Sequence, residues 1–384
     1  MIPDVYTPSV PEPDESLPTP TLPAPPPGIS AVPAARRKLP VKVIPVALGA
    51  TLGVLIANGA LPVAKDEGLL PVVGLLLALS LHSVLTALLG PLSGLTTVYA
   101  SVGIGRRLGD ATVGGVLVTF RLLPLMLFTP CAIITDRPGL VRRLWWGTAA
   151  QVLGLAAVGA VLAAAGGPGG AALGWGFLVF VLLVVVLAPG RVTSPAWRLW
   201  RMPLRREAAK LEEWRNDAAT VEAVRAVGAG RFDAARAALA GAPPSDSPRR
   251  QAVVAQLALV EGRYQEAAQE ASALHARSSA PSLRAAALYL YARAMSDGVQ
   301  SGHWPAEQAL PHFAAAVAAL RAEMPAQLAR SDLAARDAYY RGDAARAIRL
   351  AKRAASLAPE RLSRAAALQV LADARRLPGA RTAR

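Results

Sequence analysis

No charged residue occurs between positions 144 and 190. A run of that length cannot be hidden in a water-soluble globule, and it is about twice what one helix needs to cross a hydrocarbon core of ~30 Å. A "GGPGG" break at its middle divides it into two helices joined by a tight turn. Two more charge-free runs, 43–64 and 69–105, come earlier. The first is one span and contains Gly49-x-x-x-Gly53, a spacing that lets helix backbones approach closely. The second begins with another span, which Pro91 is expected to end. Four spans are expected, at about 43–64, 69–90, 144–166 and 171–189.

The 41 basic and 26 acidic residues give a net charge of +15. Arginines flank the apolar runs and are scattered through alanine-rich helices, where membrane topology accounts for many of them. No zinc-finger or RNA-binding pattern accompanies them, so nucleic acid is not an expected partner. The turns KDEG and GGPGG hold one Lys and no Arg, whereas basic residues precede the first span, occupy the hairpin region within 106–143 and follow the fourth. That bias places both termini on the cytoplasmic side of a cytoplasmic (inner) membrane. Trp145, Trp146, Trp197 and Trp200 stand near the predicted boundaries, as an aromatic belt would. The basic stretch 191–210 is expected to lie against anionic membrane lipid. The Ala/Arg/Pro/Gly bias hints at a GC-rich bacterial genome.

Between 94 and 124 the texture changes to Thr, Val, Tyr and Phe broken by glycines. That predicts a short re-entrant β-hairpin turning at 106–110. The "GIGRRLG" within it misses the phosphate-loop spacing and opens no helix. Residues 122–135, with Pro124 and Pro130, read as re-entrant or interfacial. The single cysteine, Cys131, excludes an internal disulfide, and His82, His275, His303 and His312 do not cluster in sequence.

Residues 1–34 form a proline-rich, acidic stretch that reads as disordered and not as a signal peptide, and the cytoplasmic tail is expected over 1–40, with Arg36, Arg37 and Lys38 near its end. Within it a PxxP-type ligand is the less favoured alternative to a plain tail. The membrane domain is expected over 41–202.

From 203 to 384 the chain is helical and amphipathic, and a pattern recurs. "GRFDAARAAL", "GRYQEAAQEASAL" and "GDAARAIRLAKRAASLAP" each open on a glycine: Gly230, Gly262 and Gly342. Phe232 and Tyr264 stand two positions on; Ala344 takes that place in the third. Ala235, Ala267 and Ala347 stand five positions on. A weaker unit spans about 284–320. The layout resembles the tetratricopeptide repeat, whose stacked helical hairpins imply a curved array that binds a protein or peptide. A helical bundle without a groove is the plainer alternative.

The span at 69–90 carries His82 in "LLLALSLHSVLTALLG". An apolar helix with His, then "LLG", then a glycine-broken hairpin ending "FRLLPL", resembles the site-2 protease family of intramembrane zinc metalloproteases. The resemblance covers about 69–202. It implies that His82 stands at the second histidine of H-E-x-x-H, with Ala78 at the first and Leu79 at the glutamate. Gln151, in "GTAAQ", falls near the second-helix asparagine. Pro189 echoes the third-helix proline. Ser194 falls where the acid that completes the zinc site would be. Two histidines one helical turn apart, a third ligand and a general base are what catalytic zinc requires. With those positions replaced, the resemblance implies a pseudoprotease without cofactor.

The expected fold class is mainly α: a polytopic membrane helical bundle with a re-entrant β-hairpin, then a soluble TPR-like helical domain. The expected function is a non-catalytic membrane scaffold or regulator. An active intramembrane zinc protease with atypical ligands and a transporter subunit are the alternatives. A serine protease is disfavoured, because no G-x-S-x-G occurs.

Overall fold

The structure, a computed structural model, describes residues 22–27, 69–186, 194–204 and 209–377, with 104, 123–130, 209 and 210 described by backbone alone. The expected span at 43–64 lies outside the described residues. Among those described are fourteen α-helices and a small sheet, so the chain is mainly helical. Two units emerge. One is Ala35–Ser247 with Ser356–Ala365; the other is Met1–Ala34 with Pro248–Ala355 and Ala366–Arg384. The helices within 218–240 belong with the first of these units.

The first unit is built on α1 (Leu70–Ser93), α2 (Leu140–Ala165) and α3 (Gly167–Val186). Each is long and apolar enough to cross a membrane. Only 22% of the most apolar stretch of α1, and 28% of those of α2 and α3, is buried. Side chains such as Leu88, Leu153 and Leu182 therefore point outward. So large an apolar surface is stable against lipid rather than water. Pro91 does not end α1 as expected. It sits in the last turn, where the missing N–H costs one bond near an end that frays anyway, and the helix closes at Gly94.

Small residues let these helices touch. A Cβ on Gly176 of α3 would overlap the Pro71 carbonyl of α1, and one on Gly74 would overlap the Leu173 carbonyl. On the α2–α3 side, a Cβ on Gly174 would come within 2.5 Å of the Gly159 carbonyl oxygen. Close backbone approach replaces the hydrophobic drive that lipid cannot supply between helices.

The hairpin is longer than expected. β1 (Leu95–Val113) and β2 (Val116–Thr135) turn at Gly114 and Gly115, both at positive φ, and not at 106–110. Paired glycines fit the hairpin turn whose twist matches the strands. Residues 106–110 lie inside β1, beyond a bend at Gly103 and Gly105. That bend lets Tyr99–Val102 meet β2 twice, against Phe128–Cys131 and against Leu117–Phe120. β2 runs on through Pro124 and Pro130 to Thr135. Among the described residues its other edge meets β3 (Arg215–Asn216) only at Ile134 and Thr135, so a missing N–H elsewhere breaks no second ladder.

Helix α4 (Pro195–Trp200) closes a core of Leu95, Ile134, Leu140, Leu144, Trp197 and Met202. Helix α5 (Ala218–Gly228) packs Val221 onto Val98 and Ile133, and Arg225 donates to the Thr97 carbonyl at 2.9 and 3.0 Å. Its hairpin partner is α6 (Phe232–Ala240). Residues 356–359 offer their carbonyls to Arg107, Thr119 and Arg121, and Arg361 pairs with Asp110 at 2.6 Å.

The second unit is a set of antiparallel helix pairs. They are α7 (Pro248–Val260) with α8 (Tyr264–Arg277), and α9 (Pro281–Gln300) with α10 (Ala306–Glu323). After the short α11 (Pro325–Leu328) come α12 (Leu333–Tyr340), α13 (Ala344–Leu357) and α14 (Arg361–Ala374). The pairs meet through alanines, among them Ala258, Ala267, Ala271 and Ala292, all 0% exposed. Small side chains bring the helices close, and Tyr291, Trp304 and Phe313 fill the remaining volume.

Candidate functional site

The three long apolar helices bring most of the expected site residues of this unit together. Ala78 is wholly buried in α1 among Leu155, Phe177 and Phe180, and Leu79 packs at the edge of that cluster. The ring of His82 lies 5.8 Å from that of Phe180, tilted by 57°. Its Nδ1 is buried without a hydrogen-bond partner among the described residues. Thr86, one turn on, donates to the His82 carbonyl at 2.8 Å and approaches the Gln151 Oε1 at 3.4 Å. Gln151 is 2% exposed. One polar seam therefore joins α1 to α2.

Ser194 does different work. Its hydroxyl accepts from the Trp197 N–H at 3.1 Å and caps α4. The same short helix carries a residue that sequence reasoning missed. Arg198 is 6% exposed, and its Nε has no partner among the described residues. Burial brings its pKa down to about 10. The sequence signal was a lone arginine in "SPAWRLW" between two belt tryptophans.

The zinc set implied by the family resemblance does not fit these residues. The first-ligand position holds a methyl group enclosed by aromatic rings, and the general-base position holds an aliphatic side chain. Among the described residues, no three His, Cys, Asp or Glu side chains come together to hold a metal ion. What the seam can do is hold helices in register through Thr86 and Gln151.

Beside the start of α2, a groove of about 800 Å³ is lined by Arg142, Trp145, Trp146, Leu199 and Arg215. Trp145 donates to the Leu199 carbonyl at 3.1 Å, and Trp146 is exposed. Aromatic rings and cations at a helix end suit the headgroup zone of a bilayer.

The repeat-turn residues fall at one structural position. Gly230, Gly262 and Gly342 each follow the first helix of a pair with φ of 76°, 76° and 75°. The next N–H reaches back five residues: Arg231 to Ala226 at 2.8 Å, Arg263 to Ala258 at 2.8 Å, Asp343 to Ala338 at 3.0 Å. This is the Schellman closure, which needs a left-handed residue and so favours glycine. Phe232 and Tyr264, both half-buried, open the second helices.

A fourth turn completes the set. Gly302 has φ of 74°, and His303 donates to the Gly298 carbonyl at 2.8 Å. Its second helix starts at Ala306 rather than two residues after the glycine. Counted from the helix start, Ala309 matches Ala235, Ala267 and Ala347, and all four are 0% exposed. Two extra residues in "GHWPAEQA" displace the pattern, which is why this unit looked weaker in sequence. Trp304 covers Gly298, where a Cβ would come within 2.5 Å of the indole.

Sequence reasoning also missed a buried ion network joining α9 to α12. Arg336, 0% exposed, donates to Asp332 at 2.8 Å, Asp297 at 2.5 Å and Ser296 at 2.6 Å. Arg293 donates to Asp297 at 2.9 Å, and Tyr289 donates to Asp332 at 3.1 Å. Burial alone would raise the Asp332 carboxyl. The charges of Arg293 and Arg336 and the hydrogen bonds from Arg336 and Tyr289 outweigh it and hold it below its ordinary range. The signal was present as two i,i+4 pairs, Arg293/Asp297 and Asp332/Arg336.

Compared with known proteins, the chain matches no family model, no curated protein and no solved structure.

Proposed function

We propose that the chain is a non-catalytic integral membrane scaffold or regulator, a site-2-protease-like pseudoprotease whose TPR-like array holds a protein partner. Ala78 carries the pseudoprotease half. It stands where the family pattern needs a metal-binding imidazole, and its methyl is 0% exposed against Phe177 and Phe180. Leu79 leaves no carboxylate to activate water, so hydrolysis has neither metal nor base. The four Schellman turns at one structural position favour a repeat array over an irregular bundle. In this reading 43–64 supplies a fourth span. Both termini lie in the cytoplasm of a bacterial cell, and Arg142, Arg143 and Trp146 meet anionic headgroups of the inner membrane.

Metal analysis of detergent-purified protein, beside His82→Ala, tests the first half. No zinc in either preparation is the expected result. About one zinc per chain, lost in the variant, would sink the pseudoprotease and revive the protease. For the second half, deletion of 215–375 is expected to abolish partner capture while membrane insertion persists. Unchanged capture would refute the array's role.

A further inference from the structure

Within the second unit, residues 22–27 lie against the helical array. Leu22 packs on the core cluster, Pro23 and Pro26 are buried, and Ala24, Pro25 and Pro27 are exposed. Burial three residues apart is the period of a polyproline II helix, which presents every third side chain to one face. Prolines 23, 25, 26 and 27 carry no N–H, so this stretch offers a surface rich in carbonyl acceptors. A surface that receives it must donate.

The array does so with two hydroxyls on adjacent helices. Tyr291 of α9 donates to the Pro23 carbonyl at 3.4 Å, and Ser272 of α8 donates to the Ala24 carbonyl at 3.4 Å. Tyr291 is 0% exposed, and its hydroxyl also lies 3.1 Å from His312 Nδ1 on α10. With the imidazole donating to the tyrosine oxygen, the phenol proton is free for the tail carbonyl. Burial raises the Tyr291 phenol to about 12, so it keeps that proton throughout the physiological range.

We infer that this face of α8, α9 and α10 is a reader of extended proline-rich peptide of the form Leu-Pro-x-x-Pro, and that the chain's own tail is its resident occupant. The inference rests on the proposed role of the array as a partner-binding module and names that partner's chemistry. The tail repeats the start of the pattern: Leu17-Pro18-Thr19-Pro20 precedes Leu22-Pro23-Ala24-Pro25 by five residues. A tethered occupant has an effective concentration of about millimolar. A partner of the same chemistry competes with it, so the tail sets a threshold for capture.

The test titrates a fluorescein-labelled peptide of residues 16–28 into detergent-solubilised protein and reads anisotropy. The full chain, the chain lacking 1–34, and that truncation carrying Tyr291→Phe and Ser272→Ala are compared. The truncated chain is expected to bind at least tenfold tighter than the full chain, and the double variant at least fivefold weaker than the truncated chain. In the full chain, Pro23→Ala with Pro26→Asp is expected to open the face and restore peptide binding; both residues lie outside the helices, so the array keeps its fold. Equal binding by full and truncated chains, binding that ignores the hydroxyls, or no peptide binding by the truncated chain would each overturn the inference. If the truncated chain ignores the peptide yet still loses partner capture when 215–375 is deleted, the proline reader fails alone. If capture is also indifferent to that deletion, the array's role falls with it.

Discussion

The three long apolar helices and the helical pairs of the second unit, the proposed array, solve the same packing problem with different residues. Between α1 and α3, and between α2 and α3, glycine lets one backbone rest on another. In the array, alanine faces meet, and the volume left over is filled by Tyr291, Trp304 and Phe313. Polar groups differ in how they are gathered. The array gathers its buried charges into one network of two arginines and two aspartates, in which the Arg336 Nη2 alone of the ion-pairing nitrogens is without a hydrogen-bond partner among the described residues. The unit of the apolar helices leaves the His82 Nδ1 and the Arg198 Nε, on separate elements, without partners among the described residues. Lipid gives no hydrophobic reward for joining helices, so contact area must come from close approach. Where water is the solvent, as proposed for the array, it gives that reward freely, and small side chains with a few large ones are enough.

The sharpest way to break this contrast is at Arg336. Arg336→Ala removes one cation and leaves Asp332 and Asp297 short of donors inside the array. A loss of about 3–5 kcal/mol is expected, read by chemical unfolding of the array followed through its tryptophan fluorescence. A loss below 1 kcal/mol would mean that the network is not buried.

Next comes Gly176→Leu. The added Cβ meets backbone, which no rotamer change relieves, so overpacking of about 1–3 kcal/mol is expected in thermal unfolding of detergent-solubilised protein. Unchanged unfolding would separate α1 from α3. The same substitution at exposed, uncontacted Gly154 is the control and is expected to be silent.

Gly302→Ala tests whether the fourth turn is equivalent to the other three. Forcing a Cβ into the left-handed region costs about 1–2 kcal/mol, and Gly262→Ala is expected to cost the same within error. A silent Gly302→Ala would set that turn apart.

Acid sharpens the comparison further. The Asp332 carboxyl titrates lower in the folded array than in the unfolded chain. Its contribution is complete above the unfolded value of about 4 and is lost as pH falls through the folded value. The array's melting temperature is expected to be insensitive to this group between pH 5 and 8 and to fall below pH 4. Asp332→Asn should start lower and lose this part of the acid sensitivity. Equal acid slopes would show that Asp332 is not held by its arginines.

The smallest effect is expected at His82. Replacing it with Leu removes an unpartnered buried nitrogen and keeps the apolar volume beside Phe180, so stability should be unchanged or rise by about 1 kcal/mol or less. A large loss would reveal a bond that the vestigial reading denies.

Some of this was legible one residue at a time. Charge-free runs determined the three apolar helices, because helix formation and lipid burial depend on the composition of a local window. Glycines followed by Phe232 and Tyr264 marked the turns, because a Schellman closure is made by residues five apart. Gly302 escaped only because two inserted residues shifted its helix start. The hairpin was recognised and its turn misplaced: glycines 103 and 105 bend the strand, glycines 114 and 115 turn it, and spacing alone does not separate those roles.

What the tertiary structure decided lies between residues far apart in the chain. Gly74 meets Leu173, Arg336 meets Asp297, Thr86 approaches Gln151, and Pro23 meets Tyr291. Burial and pairing are properties of the folded neighbourhood, and no local rule says which distant carbonyl will accept a bond. The sequence alone determined what each segment is. The fold determined which polar groups are satisfied, which buried nitrogens are not, and which surface residues 22–27 cover.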